Sequence, residues 1–168
     1  MLVVGIDPGI AITGYGLVRE AQDGSLQVVD YGAITTQANT PLSERLSHLF
    51  DKLNVVLSKH DPESGAVENL FFQKNVRTAM SVGQARGVAL LSLAKAAIPV
   101  NDYTPGEVKQ AVTGYGGADK RQVQEMVRTL LNLDELPKPD DAADALAVAI
   151  CHLHSSRTAA LLQQGSGN

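Results

Sequence analysis

The stretch LVVGID, residues 2–7, is an apolar run that ends in a carboxylate. Its composition predicts a short buried strand. Pro8 and Gly9 then predict a turn, because proline fixes φ and glycine supplies a positive φ. A carboxylate at the end of a buried strand is costly, since desolvating it without a partner costs several kcal/mol or more. Asp7 is therefore either a turn-forming residue or a functional one, and this stretch alone leaves both interpretations open.

Hydrophobic periodicity along the rest of the chain predicts strands and helices in the order βββαβαβ, followed by helices. The predicted strands cover 1–7, 13–19, 26–35, 64–69 and 100–103. The predicted helices begin at Pro41 with Thr40 as the N-cap, cover 77–97, open at Thr104 in a capping box, and cover 120–131 and 140–154. This order predicts an α/β fold, a mixed five-stranded sheet flanked by helices.

Three more acidic residues occupy positions that folding alone explains poorly. Glu68 ends the apolar run GAVE (65–68), and Asp141 and Asp144 lie in DDAADAL (140–146) at the head of an alanine-rich helix. The i, i+3 spacing puts the two aspartates on one helix face, although acids in a first turn also complement the helix dipole. If the first and fourth strands are parallel, Asp7 and Glu68 emerge at the sheet edge where α/β folds place their sites.

A cluster of these four carboxylates needs a cation to offset the repulsion among them. Hard oxygen ligands suit Mg²⁺, with Mn²⁺ as a substitute. Two ions about 3.5–4 Å apart could clamp a phosphodiester between an attacking water and the departing oxygen. The four histidines are scattered, and each is interpreted as a surface or packing residue: His48, His60, His152 and His154.

Length and composition indicate one globular domain. The chain has 168 residues, of which 44% are hydrophobic, and its one cysteine excludes an internal disulfide. The apolar start lacks a basic leader, and no apolar run is long enough to span a membrane, so a cytoplasmic protein is expected. Residues 1–156 are predicted as the domain and 157–168 as a disordered, polar tail.

The net charge of −4 is distributed unevenly. The segment 70–128 carries +4 and the remainder carries −8. One region could therefore attract phosphate while the rest does not, although solvated helix faces would explain the same numbers. The candidate DNA-binding residues in this segment are Phe71, Phe72, Lys74, Arg77, Lys109, Lys120 and Arg121.

Two of the chain's three phenylalanines, Phe71 and Phe72, lie in the polar loop beside Glu68. An exposed aromatic ring there could stack on an unpaired base, worth roughly 1–3 kcal/mol, and the alternative is a ring tucked into the core. Lys109 and Lys120 flank a glycine-rich loop, where they could contact phosphates or be ordinary surface lysines.

A stripe of small residues, Ala79, Gly83 and Gly87, follows i, i+4 spacing in a predicted helix. Each glycine costs on the order of 1 kcal/mol relative to alanine in a helix interior. Close approach of another element would offset that cost. The partner is either the chain's own sheet or a second subunit, and a homodimer interface is the favoured interpretation.

Five separated segments of the sequence form a distinctive set: GIDPGIAITGYG (5–16), ENLFFQKN (68–75), GQARGVAL (83–90), VKQAVTGYGGADKRQVQEMV (108–127) and DDAADALAVAI (140–150). Together they resemble the RuvC family of bacterial Holliday-junction resolvases. The resemblance implies a ribonuclease-H-like fold and a homodimer that symmetrically nicks two opposed strands of four-way junction DNA with Mg²⁺.

The resemblance also implies roles for particular residues. Asp7, Glu68, Asp141 and Asp144 match the catalytic, metal-binding acids, and Phe71 matches an aromatic residue inserted at the junction centre. Lys109 and Lys120 match basic residues needed for activity. RuvA and RuvB, the branch-migration proteins, would be partners.

Three other functions fit parts of the pattern. GIDPGIAITGYG also resembles the first phosphate loop of actin-like ATPases and sugar kinases, but those proteins need two lobes, which 168 residues do not supply. A ribonuclease H acting on RNA–DNA hybrids would use similar acids. A non-catalytic junction-binding module is the third alternative, and the intact set of four acids argues against it.

Overall fold

The computed structural model describes residues 1–69 and 76–165, and it contains five strands and five helices in that part of the chain. They are β1 (Leu2–Asp7), β2 (Ile12–Glu20), β3 (Leu26–Thr35), α1 (Leu42–His60), β4 (Ser64–Glu68), α2 (Val76–Lys95), β5 (Val100–Tyr103), α3 (Pro105–Thr113), α4 (Lys120–Leu130) and α5 (Asp140–Gly165).

The strands form one mixed sheet in the order β3-β2-β1-β4-β5. The hairpins β1–β2 and β2–β3 are antiparallel, whereas β1–β4 and β4–β5 are parallel and are joined by helical crossovers. The predicted five-stranded α/β fold is confirmed, as is the parallel pairing of the first and fourth strands. Asp7 and Glu68 consequently end neighbouring strands at the same edge of the sheet.

Each face of the sheet is covered by its own set of helices. Side chains alternate between the faces along a strand, so Val4 of β1 packs with α1 and α2 while Val3 packs with α3, α4 and α5. The same alternation points Asp7 toward the α5 face. On β4, Ala66 packs on the α5 face, so Ser64 and Glu68, two residues to either side, share that face.

Helix α5 lies unusually close to β1 and β2. A Cβ at Gly5 would lie 2.1 Å from the Ala145 carbonyl oxygen, and one at Gly14 would lie 1.9 Å from the Asp141 carbonyl oxygen. Only glycine leaves room for this approach, because any other side chain would collide with the helix backbone. Gly14 is the β2 partner of Asp7 in the ladder, so this contact brings the start of α5 beside Asp7.

Two boundary predictions were wrong. Helix α5 continues to Gly165, past the predicted end at His154, so 157–165 is helical rather than a disordered tail. The segment contains good helix formers such as Ala159 and Leu161, and Arg157 lies 3.9 Å from Glu20 of β2. The polar composition that suggested disorder is concentrated in the last six residues, of which 166–168 lie outside the described residues.

The N-cap of α1 is Pro41 rather than Thr40, and the cap has no side-chain hydrogen bond. By contrast, Thr104 caps α3 and Asp119 caps α4, each in a full capping box. No helix in the described ranges has the length and apolarity needed to cross a bilayer.

Candidate active site

Two carboxyl groups meet at the carboxyl ends of β1 and β4. The side chains of Asp7 and Glu68 lie close enough to interact, and the charge of Glu68 raises the pKa of Asp7. Both residues are only partly exposed. The contact follows from the parallel register, in which Ile6 is opposite Val67, so the next residue of each strand lies side by side.

The start of α5 adds two further carboxylates to this pair. The contact of the Asp141 backbone with Gly14 positions the helix terminus. Asp144 lies one turn further along, and its charge acts on both Asp7 and Glu68. The structure therefore brings the four predicted acids close enough together that the charges of Glu68, Asp141 and Asp144 all act on Asp7.

The proximity of these acids changes their protonation. Burial, followed by repulsion from Glu68, Asp144 and Asp141, raises the pKa of Asp7 from 3.8 to about 7. Burial also raises the pKa of Glu68, with repulsion from Asp144 as the next cause. Burial raises the pKa of Asp144 as well, although Lys120 opposes this. Without a divalent cation, burial and mutual repulsion thus disfavour the charged forms of Asp7, Glu68 and Asp144.

Lys120, the first residue of α4, holds the outer side of this cluster. Its ammonium nitrogen is 3.0 Å from Asp144 Oδ2 and 3.3 Å from Asp140 Oδ2. Although partial burial disfavours the charged amine, the bonds to Asp144 and Asp140 raise the pKa of Lys120. The capping box of Asp119 fixes where α4 begins, and so fixes the position from which Lys120 reaches across.

Asp140 is a site residue that the sequence interpretation left out of the cluster. It is one of two aspartates that share the Lys120 ammonium. Its i, i+4 spacing from Asp144 puts both on one helix face, and this was the available signal. Sequence alone could not show that a lysine from another helix lies between them.

A cavity of about 200 Å³ opens beside the acids. Glu68 and Asp144 line it together with Lys109 and Lys120, which supply two positive charges. The remaining wall is formed by α3, α4 and α5 through Pro105, Val108, Val123 and Ala147. A concave site lined by both carboxylates and amines suits a phosphate group held near bound cations.

The donors fit a hard divalent cation, but they are partly engaged with one another. Across residues 1–69 and 76–165, no three acidic, histidine or cysteine side chains form a finished metal-ligand set. The Lys120 ammonium instead provides positive charge beside Asp140 and Asp144. Because all four acids offer oxygen ligands only, the chemistry of the donor set matches Mg²⁺ or Mn²⁺.

The other predicted DNA-binding residues are placed unequally. Phe71, Phe72 and Lys74 lie outside the described residues, and Arg77 belongs to the first turn of α2. Arg121 is exposed and lines a groove of about 500 Å³ together with Tyr115 of the glycine loop. Arg121 is therefore on the surface beside the site but not in the cavity with the acids.

At Gly87, the small-residue stripe of α2 is exposed and does not pack on the chain's own sheet. A Cβ at Gly87 would meet nothing within 4 Å. The buried face of the helix is a different one, containing Ala85, Ala89 and Leu93. Met80 and Leu91, which are 64% and 52% exposed, share the open face with Gly87 by their spacing of seven and four residues.

Comparison with known proteins identifies the family. The family model described as crossover junction endodeoxyribonuclease RuvC matches residues 3–152. The chain belongs to the RuvC family. The crossover junction endodeoxyribonuclease RuvC of Chloroflexus aurantiacus is 58% identical over 158 residues, which cover 94% of this chain and 96% of the relative. Family membership decides against the actin-like ATPase alternative.

Solved structures of RuvC share the fold. Thermus thermophilus RuvC has 38% sequence identity to this chain, and its structure superimposes with a TM-score of 0.88. The match covers 95% of this chain and 97% of the T. thermophilus chain. T. thermophilus RuvC in complex with a Holliday junction substrate gives 35% identity and a TM-score of 0.86, with 94% of this chain and 96% of that chain covered. The RuvC-like, ribonuclease-H-like architecture therefore extends over nearly the whole chain.

Proposed function

We propose that this protein resolves four-way DNA junctions by metal-dependent nicking of two opposed strands, and that Asp7, Glu68, Asp141 and Asp144 hold the metal. Endonuclease action on crossover junctions is the activity of the family. The observation that carries the metal site is the buried Asp7–Glu68 carboxyl pair, with Asp144 close enough to raise the pKa of Glu68 further. Folding alone gives no reason to collect like charges there, because their mutual repulsion destabilises the native state.

The metal proposed here is Mg²⁺, with Mn²⁺ as a substitute and two ions per site. When bound between these carboxylates, it would supply Lewis-acid stabilisation of the phosphate and lower the pKa of a water molecule. Asp7 contributes the deepest ligand, since it ends a central strand and is covered by α5. Asp144, which is paired with Lys120 in the metal-free protein, would contribute another ligand.

The lysines have a separate role in this proposal. Lys109 and Lys120 line the cavity from α3 and α4, where each can contact a non-bridging oxygen of the scissile phosphate. A positive charge that is already in place as negative charge develops lowers the barrier without reorganisation. Arg121, on the neighbouring exposed groove, is assigned to the phosphate backbone outside the reacting position.

The experiment that tests the function is a cleavage comparison on defined substrates. Purified protein is incubated with a synthetic four-way junction, a linear duplex of the same sequence and an RNA–DNA hybrid, each with Mg²⁺ and with EDTA. We expect paired nicks on opposed strands of the junction with Mg²⁺ only, and little cleavage of the other substrates. Preferred cleavage of the hybrid would favour a ribonuclease H, and junction binding without nicking in Mg²⁺ or Mn²⁺ would favour a binding module.

A homodimer is the second part of the proposal, and the open face of α2 supports it. Gly87 offers space for a neighbouring backbone, and the exposed side chains beside it, Met80 and Leu91, are apolar. Ala79 and Gly83 continue the small-residue stripe on the same helix. A two-fold axis at this helix would give two identical sites for two symmetric strands.

Leu91→Glu is expected to convert the dimer to a monomer, because it would bury two unpaired carboxylates at a symmetric apolar contact. Sedimentation equilibrium should then show the mass of one chain, and paired nicking should fall at least about tenfold because one subunit cannot address two strands. Val55→Glu is the matched control, since Val55 is 63% exposed on α1. A dimeric Leu91→Glu variant would contradict this interface.

Other expectations from the family resemblance remain predictions. Phe71 is predicted to insert at the junction centre, and the cytoplasm is the predicted location. RuvA and RuvB are predicted partners. None of these is needed for the chemistry proposed for the four acids.

A further inference from the structure

His152 of α5 is buried between the helix and the sheet, far from the acids. It is 4% exposed. Its Nε2 atom is 2.7 Å from Ser64 Oγ at the start of β4, and its Nδ1 atom is 2.8 Å from the Tyr103 hydroxyl at the end of β5. Both ring nitrogens therefore have partners, and the two partners lie on different strands.

The hydrogen bonds of this network have one consistent direction. The Ser64 hydroxyl also lies 3.4 Å from the Pro99 carbonyl oxygen, to which it can only donate. It therefore accepts from Nε2–H of His152, and Nδ1 accepts from the Tyr103 hydroxyl. Burial lowers the pKa of His152, so the ring is neutral and acts as one donor and one acceptor.

The bond between His152 and Ser64 joins the same two elements, α5 and β4, that carry Asp144 and Glu68. Ser64 and Glu68 are four residues apart on β4, a span of about 13 Å at 3.3 Å per residue. His152 and Asp144 are eight residues apart on α5, a span of about 12 Å at 1.5 Å per residue. Since the spans match, bonding His152 to Ser64 at one end sets Asp144 beside Glu68 at the other.

The remaining contacts of α5 with the sheet are mostly apolar and small. Ala145 and Ala149 lie against Gly5, and such contacts hold the helix close to the sheet. They are non-directional, however, and a sliding helix can replace one with another. Hydrogen bonds weaken steeply away from a narrow range of distance and angle. The two bonds of His152 thus add directional constraints to the helix position along the strands.

We infer that His152 is a positioning residue for the metal site, because its bonds to Ser64 and Tyr103 fix how far α5 is displaced along β4 and so set the distance between Asp144 and Glu68. Tyr103 strengthens the constraint, since it is the ladder partner of Glu68 and its carbonyl accepts from the Asn69 amide at 2.7 Å. This inference rests on the proposed function of the acids.

The test compares wild type with His152→Leu, which removes both ring nitrogens. Three quantities are measured for each protein: Mn²⁺ affinity by titration calorimetry, kcat and KM for nicking of a four-way junction, and Tm. We expect Mn²⁺ affinity to fall about tenfold and kcat to fall about 10–100-fold, as is typical when support for a metal ligand is lost. The KM for the junction should stay within about twofold, because the DNA-facing surface is unchanged.

A second variant keeps the test decisive if His152→Leu does not fold. The double variant Ser64→Ala with Tyr103→Phe removes only two hydroxyl groups, leaves the histidine in place, and should reproduce the loss of Mn²⁺ affinity and kcat. His152→Gln, whose amide can replace one of the two bonds, should fall between His152→Leu and wild type.

Ile150→Val is the matched control for general destabilisation of the helix. Ile150 is fully buried on α5, and the variant loses a methylene group without touching the network. It should lower Tm but leave Mn²⁺ affinity and kcat near wild type. The inference is overturned if the hydroxyl-deletion variant keeps wild-type metal affinity and kcat, or if Ile150→Val loses them equally at the same Tm. If wild type itself neither binds Mn²⁺ nor nicks junctions, the proposed function fails instead.

Discussion

Asp7→Asn is expected to abolish junction nicking while leaving junction affinity within about twofold of wild type. Asp7 ends a central strand, and burial together with the charges of the other three acids raises its pKa. A neutral amide is a poor ligand for a hard cation, and metal binding contributes several kcal/mol of transition-state stabilisation. At about 1.4 kcal/mol per factor of ten, the rate should fall at least about 10³-fold. Single-turnover nicking and binding in EDTA measure the two quantities separately.

The same substitution should stabilise the protein when no metal is present. The pKa of Asp7 is raised from 3.8 to about 7 in the folded state, so the folded protein binds this proton more tightly than the unfolded chain does. The cost of ionising Asp7 is therefore absent below pH 3.8, grows as the pH rises to about 7, and is constant above. Asp7→Asn removes that cost, so its Tm should exceed that of wild type by several degrees at pH 8 and by much less at pH 4.

Asp51→Asn is a suitable control for the change of charge, because Asp51 is exposed on α1. It should alter neither nicking nor the pH dependence of Tm. Loss of junction binding together with nicking in Asp7→Asn would mean that Asp7 serves docking or folding rather than chemistry. A lower Tm at pH 8 would mean that the Asp7 carboxylate is stabilised by a partner, contrary to the repulsion described above.

The sequence was sufficient for those features that depend on local pattern. Local pattern marked two apolar runs, which end at Asp7 and Glu68, and the i, i+3 pair of Asp141 and Asp144. The predicted parallel pairing of the two strands then placed Asp7 beside Glu68. The capping box at Thr104 was also readable, because such a box involves residues only three apart.

Features that depend on tertiary contacts were not predictable in the same way. Lys120 and Asp140 are 20 residues apart on separate helices, and nothing in either local pattern indicates their ion pair. His152 was interpreted as a packing or surface histidine, and only the fold reveals that it joins α5 to two strands. The end of α5 was misjudged because helix continuation past His154 is supported by Arg157 against β2, a contact invisible to composition.

The contrast explains why the acidic cluster and the basic residue Lys120 were each predicted, but the ion pairs between them were not. The four acids lie at two strand ends and at one helix start. Such positions are marked in the sequence by turns and by changes of hydrophobic pattern. A charge that neutralises them can arrive from any exposed position within reach of a long side chain. Lys120 is such a residue, and its two roles can be separated by experiment.

Lys120→Met is expected to reduce nicking about 10²–10³-fold, the usual loss when one charge that stabilises a developing negative charge is removed. In the metal-free protein the Lys120 ammonium binds Asp144 at 3.0 Å and Asp140 at 3.3 Å. Because Lys120 is 54% exposed, losing these ion pairs should change stability by only about 1 kcal/mol or less. The loss of rate should therefore far exceed any loss of stability.

A Mg²⁺ titration distinguishes the two explanations for such a loss. If Lys120 acts on the phosphate, the maximal nicking rate of Lys120→Met stays low at saturating Mg²⁺, and the half-saturating concentration does not rise at pH 8. Arg121→Met should behave differently, with weaker junction binding but a near-normal maximal rate, since Arg121 lines the outer groove. Lys59→Met controls for loss of a surface charge, because Lys59 pairs with Asp30 far from the acids.

Recovery of the full nicking rate in Lys120→Met at high Mg²⁺ would contradict this assignment. It would show that the ammonium only neutralises Asp140 and Asp144 until a cation takes its place, so that extra metal can substitute for it. A low maximal rate with an unchanged metal requirement would instead support direct action of the Lys120 ammonium on the phosphate. Lys120 lines the cavity and also pairs with Asp140 and Asp144. Its ammonium can therefore bind either these carboxylates or a phosphate in the cavity.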